Sequence, residues 1–267
     1  MAHKVTTRDF FATHPVFSLD EATRALAPRR GRAATLDRLK HHLKAGRLRV
    51  AARGVYAVVP AGVPAGRISP DPVLVALAMR PGAVFSHHTA LELLGAAHSA
   101  WHQCTVYTAK VHRPMALNGT TILFLASPKG LTGTRALGTR RVERRGRLVE
   151  VTGPERTLVE GFRRPALVGG LEELVTSASG FATIDLKLVE DVLRRYGAAN
   201  LWAAAGWFLE RFQETFHVSE AVLKRFERHR PQSPQYLDRG TRGGVLVRRW
   251  NLILPEALVG PGGPDER

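Results

Sequence analysis

One cysteine, Cys104, stands in 267 residues. An intrachain disulfide is therefore excluded, and a reducing compartment is expected. Acidic residues are also scarce: 23 Asp and Glu face 39 Lys and Arg, a surplus of +16. Such a balance points to an anionic partner, either nucleic acid or a membrane surface. Long apolar runs are missing, since none approaches the ~18–20 residues of a membrane-spanning helix. Residues 1–10 have no apolar core of the kind a secretory signal carries. A cytoplasmic protein without a membrane partner is expected. Hydrophobic residues at 44% and charged residues at 23% are ordinary for a globular chain and argue against global disorder.

The charge is concentrated. Residues 29–53 hold nine basic side chains and one acid, Asp37, and residues 129–147 hold seven and one, Glu143. These two zones carry fourteen of the sixteen surplus charges, while residues 170–230 are nearly neutral. Two focused zones fit a specific polyanion surface better than a general excess of charge.

The order of elements gives the first zone a frame. A short helix is expected over residues 5–13. Ser18 followed by Glu21 reads as a capping box that opens a helix over 19–27. Pro28 to Gly31 breaks that helix. A second runs over 33–45 and stops at Gly46. Alternation at Leu48 and Val50, then at Val55, Ala57 and Val59, predicts two strands turning at Arg53-Gly54. Helix, helix, tight turn, helix and hairpin is the order of a winged helix-turn-helix. The Pro/Gly-rich residues 60–72 read as a linker.

The expected architecture is α+β: a winged helix over 1–62, an α+β domain over 72–255 and a flexible tail over 256–267. In the second domain, helices are expected over 72–80 and 86–94. Strands follow over 104–109, 121–126, 139–144 and 147–151. The rest is mainly helical (155–162, 170–177, 185–196, 201–212, 219–228), with a last strand over 245–254.

On the helix over 33–45, Leu36, Leu39 and Leu43 make one inward stripe. The opposite side shows Ala34, Arg38 and His41. The second helix of such a motif leads into the major groove, which is about 12 Å wide and admits one helix. Arg32, Thr35, Arg38 and His41 are then the candidate base readers, because an arginine fork matches the two guanine acceptors. Arg29, Arg30, His42, Lys44, Arg47, Arg49 and Arg53 are the candidate phosphate contacts, which give affinity and register. The second zone, with Arg140, Arg141, Arg144, Arg145 and Arg147, reads as a charged β-hairpin. It fits an added DNA-backbone contact, a surface for RNA or an acidic partner, or an edge strand guarded by charge against aggregation.

No catalytic, metal or cofactor set is expected. Ser86-His87-His88-Thr89 draws the eye, but adjacent histidines on a helix point about 100° apart, and the His-Glu-x-x-His pattern of a zinc-protease helix is absent. A helix start carrying Ser86 and two histidines could instead meet a phosphate. Cys104 lies in a strand-like run and reads as buried. The aromatics Trp202, Trp207, Phe208, Phe212 and Phe216 read as core.

Several stretches in order resemble the AbiEi antitoxins of bacterial type IV (abortive infection) toxin–antitoxin systems. They are Gly54-Val55-Tyr56, Ser86-His87-His88-Thr89-Ala90-Leu91-Glu92-Leu93-Leu94-Gly95 and Val151-Thr152-Gly153-Pro154-Glu155-Arg156-Thr157-Leu158-Val159-Glu160. Gly169-Gly170-Leu171-Glu172-Glu173 and Arg249-Trp250-Asn251-Leu252-Ile253-Leu254-Pro255 complete the set. Glu160 stands where that family often has aspartate. The resemblance implies a repressor that binds inverted repeats of double-stranded DNA in its own promoter, as a monomer or dimer on DNA. It also implies a C-terminal domain that neutralises a nucleotidyltransferase-like toxin, with or without a stable complex. The alternatives are a regulator without a toxin and a DNA-binding domain fused to a nuclease. The second needs clustered carboxylates around a metal, which the helical region after Glu155 does not offer.

Overall fold

The computed structural model describes residues 6–26, 29–131, 136–238 and 243–259. Pro28, Arg135 and the last eight residues of the expected tail lie outside them. The chain is a mixture of helices and strands, with three sheets among the described residues. It forms two compact units. One contains residues 1–85, 102–126 and 141–150; the other contains 86–101, 127–140 and 151–267. The division is discontinuous, whereas the sequence reading places one linear boundary between residues 62 and 72.

The first unit opens with α1 (Thr7–Thr13), whose N-terminus is closed by reciprocal bonds between Thr6 and Asp9. Strand β1 (Val16–Ser18) follows and runs straight into α2 (Leu19–Leu26). The capping box forms: the Ser18 N–H donates to Glu21 Oε2 at 2.8 Å, and the Glu21 N–H donates to Ser18 Oγ at 3.2 Å. Next come α3 (Gly31–Lys44), β2 (Leu48–Ala52) and β3 (Val55–Val58). The three strands make an antiparallel sheet in the order β1–β3–β2, with Phe17 opposite Tyr56. Gly54, at φ +73°, turns the β2–β3 hairpin. Phe10, Phe17, Leu19, Ala22, Leu26, Leu39, Leu48 and Tyr56 form a small core beneath the helices.

Helix α4 (Pro72–Met79) explains why this unit extends past residue 62. Asp71 caps it, accepting from the N–H groups of Val73 and Leu74, and Pro72 takes the first helical position. The helix has no polar face, so it needs cover all round. It packs on β1, β2 and β3 and on β5 and β7 of a larger sheet. That sheet contains β4 (Val84–Phe85), β5 (Gln103–Thr108), β6 (Met115–Leu117), β7 (Thr120–Ala126), β8 (Thr139–Arg144) and β9 (Arg147–Thr152). Its order is β6–β7–β5–β4–β9–β8, with β8 at an edge and β5 and β7 parallel.

The second unit holds α5 (His87–Leu93), α6 (Pro154–Arg163), α7 (Leu171–Ser179), α8 (Leu186–Tyr196), α9 (Ala199–Arg211) and α10 (Glu220–Glu227). A small sheet of β10 (Gln235–Tyr236), β11 (Val245–Val247) and β12 (Leu252–Leu254) follows, then α11 (Glu256–Val259). The expected single strand over 245–254 is broken by a 3-10 turn at Arg248–Trp250 and by left-handed Asn251 at φ +49°. The expected tail begins with α11 instead of irregular chain. Trp250 is fully buried and lies where a Cβ on Gly206 would stand, so α9 needs glycine at that position. Trp202, Trp207, Phe208 and Phe216 are buried as expected, whereas Phe212 is partly buried against the same core.

Candidate nucleic-acid interface

Helix α3 is held by an inward side of Thr35 and Leu39, flanked by the partly buried Leu36, His42 and Leu43. Thr35 is fully buried, and its hydroxyl donates to the Gly31 carbonyl at 3.1 Å. It therefore cannot read a base edge, and its place among the candidate readers is corrected. With Thr35 inside, the outward side turns away from the predicted Ala34–Arg38–His41 line. It runs through Ala33, Asp37, His41 and Lys44, at three- and four-residue steps, and all four are exposed.

Two proposed arginine readers bind α2. Arg32 Nη1 meets Asp20 Oδ1 at 2.5 Å, with both side chains largely exposed. Arg38 Nη1 donates to the Leu26 carbonyl at 3.2 Å. Both bonds link α3 to α2, so neither guanidinium is free in this structure. His41 lies on the outward face, as predicted.

The predicted phosphate contacts divide in the same way. Arg29, Arg30, Lys44, Arg47 and Arg53 are exposed. Lys40, which was not predicted, is exposed beside them, 3.0 Å from Asp37. Arg30 occupies the N-cap of α3 with no side-chain cap bond, so the first N–H groups of the helix retain their attraction for anions. Arg49 instead donates to the carbonyls of Ile68 and Ala65 and fastens β2 to the following segment. His42 packs edge-on against Phe11, with ring centres 5.0 Å apart. Burial, with Arg47 and His41 nearby, holds its imidazole below the ordinary range, so it remains neutral and is a poor phosphate contact.

The second basic zone behaves differently. Arg147 Nη2 bonds Glu21 Oε1 at 2.6 Å, with both side chains mostly buried. Burial pushes the Glu21 carboxyl up, but the Ser18 N–H and Arg147 more than offset this and hold it below its usual value. Arg144 Nε bonds the buried Asp71 at 2.8 Å, Arg145 lies 3.5 Å from the same carboxylate, and Arg140 lies 3.8 Å from Glu155. Four of the five predicted arginines thus face carboxylates. Arg141 is exposed on edge strand β8. The sequence reading missed the partners because Asp71 and Glu21 lie 73 and 126 residues away along the chain.

Ser86, His87, His88 and Thr89 are all buried, which removes the reading of an exposed phosphate site. Ser86 Oγ lies 2.9 Å from His87 Nδ1. Burial, with Arg164, Arg156 and Arg163 nearby, lowers the His87 pKa to about 3. His88 stacks on Trp101 and sits 3.3 Å from Glu92 and 3.5 Å from Glu173. Glu173 also accepts from the N–H groups of His98 and Ser99 and from the Ser177 hydroxyl, which ties α5 and the segment after it to α7. Glu160 accepts from Arg156 at 2.7 Å and from the Tyr196 hydroxyl at 2.6 Å, joining α6 to α8. Cys104 is buried in β5. Among the described residues, no three His, Cys, Asp or Glu side chains converge as metal ligands, and no helix is long and apolar enough to cross a membrane.

No protein-family model and no curated protein matches the chain. Among solved structures it is similar to the RV2827C protein from Mycobacterium tuberculosis. The identity is 17%, the match covers 91% of this chain and 88% of that one, and the TM-score is 0.57. At that identity the likeness concerns the fold.

Proposed function

We propose that α1–α3 and the β2–β3 hairpin act as a winged helix-turn-helix that binds double-stranded DNA. α3 lies in the major groove and the hairpin is the wing. One observation carries this reading: α3, the turn before it and the hairpin after it hold six exposed cations, Arg29, Arg30, Lys40, Lys44, Arg47 and Arg53, against the single acid Asp37. A solvated helix ordinarily mixes its charges, whereas a polyanion surface rewards this imbalance. The element order and the β1–β3–β2 sheet support the same reading.

Six neutralised phosphates give a slope of about −5 in log K against log salt. The biological role we propose is autorepression in a cytoplasmic antitoxin of type IV kind, with the second unit acting on a nucleotidyltransferase-like toxin. The resemblance of the motifs supports that part. DNA from upstream of the protein's own gene provides the test. Wild type should retard it in a gel and resist competitor DNA, and the His41→Ala, Lys44→Ala double variant should lose that preference with its melting temperature unchanged. Specific binding that survives the double change would overturn the placement of α3. A nucleotidyltransferase reading frame beside the gene is expected; without one, the toxin part fails and a plain regulator remains.

A further inference from the structure

Asp37 is the only acid between Arg29 and Arg53, and it stands at the middle of the outward face of α3. Its side chain is 73% exposed. A carboxylate there opposes every phosphate that the surrounding cations attract. General affinity for DNA would be better served by almost any other residue at this position. The two residues that could crowd it from the preceding turn, Ala33 and Ala34, are the smallest on that side, so its short arm is free to reach a base edge. Lys40 Nζ, in the following turn, donates to the carboxylate at 3.0 Å.

We infer that Asp37 is a specificity-determining residue of this face and accepts a hydrogen bond from the exocyclic amino group of a cytosine. The inference rests on the DNA-binding reading above. The major-groove edges decide the choice of base. Guanine presents two acceptors and repels a carboxylate. Thymine presents an acceptor and a methyl group. Adenine sets an acceptor beside its amino group. Cytosine presents the amino donor alone. Asp37 therefore selects a C·G pair at one position of each bound site and rejects the reversed pair, while Arg29, Arg30, Arg47 and Arg53 supply affinity without sequence information.

The experiment is selection from a randomised duplex library with wild type, Asp37→Ala and Lys40→Ala. Wild-type sites should share an invariant C·G pair. Replacing it should weaken wild type by between about fivefold and about a hundredfold. Asp37→Ala should become indifferent at that position alone, keep the rest of the preference and bind random DNA more tightly at low salt. Lys40→Ala should bind more weakly but still select the pair. If Asp37→Ala enriches the same sites with the C·G pair intact, or if wild-type sites contain no such pair, the inference is wrong while the DNA-binding reading stands. If wild type binds no duplex at low salt, it is the DNA-binding reading that fails.

Discussion

The two arginine-rich stretches look alike as sequence and differ as structure. In residues 29–53, five cations stand in solvent and four, Arg32, Arg38, Lys40 and Arg49, are bound to neighbouring protein groups. In residues 139–147 the ratio reverses. Arg140, Arg144, Arg145 and Arg147 all face carboxylates, and Asp71 and Glu21 are themselves helix-capping groups. Density of positive charge therefore does not define an interface. What matters is whether a carboxylate lies within reach. By this measure the first stretch is free to meet an anion, and the second stabilises the fold.

The strongest way to break this contrast is to strip the exposed cations. Arg30, Lys44, Arg47 and Arg53 changed together to alanine should reduce duplex affinity on the order of a hundredfold or more and bring the salt slope from about −5 to about −2. Fluorescence anisotropy across a salt series measures both. Arg141→Ala with Arg145→Ala removes charge from the second zone and should leave affinity within about twofold. Equal losses from the two sets would end the distinction.

Arg147→Met tests the structural role directly. It leaves the mostly buried Glu21 carboxylate without its cation and should cost about 1–3 kcal/mol in chemical denaturation. The pH dependence sharpens the test. The folded-state pKa of Glu21 is depressed, so its contribution is present above the ordinary value of 4.5 and is lost as pH falls through the folded value. The acid limb of the stability curve should be shallower in the variant.

His87 offers a control away from both zones. Its pKa of about 3 in the fold against 6.5 ordinarily means that the unfolded chain binds the extra proton between these values. Stability should be complete above pH 6.5 and fall by about 2 kcal/mol by pH 5. His87→Asn, which tolerates the left-handed backbone at φ +55°, should flatten that window. Thr35→Val should have the smallest effect, at most about 1 kcal/mol for the lost hydroxyl bond, with base preference unchanged. A shift in base preference would restore Thr35 to the reading face.

Local chemistry was legible in the sequence and long-range chemistry was not. The Ser18–Glu21 box, the Gly54 turn and the extent of α3 depend on neighbours within a few residues, and a one-dimensional pattern records them. Thr35 was misplaced because a threonine beside arginines looks like surface, yet its hydroxyl is satisfied within its own helix and its methyl group suits the core. Strand β1 was missed because three residues carry no period. The fate of the second arginine zone was hidden for a different reason, since its partners join it only when α2 and α4 fold against β8 and β9. The outward face of α3 needed both levels, since the apolar stripe gave its side and a single buried polar residue rotated it.

Hydrogen–deuterium exchange with and without random-sequence duplex at low salt tests the central contrast most directly. The account predicts slowed exchange in residues 29–44 and 47–56 on adding DNA, and unchanged exchange in residues 139–147. Protection in the β8–β9 hairpin with none in α3 would contradict it.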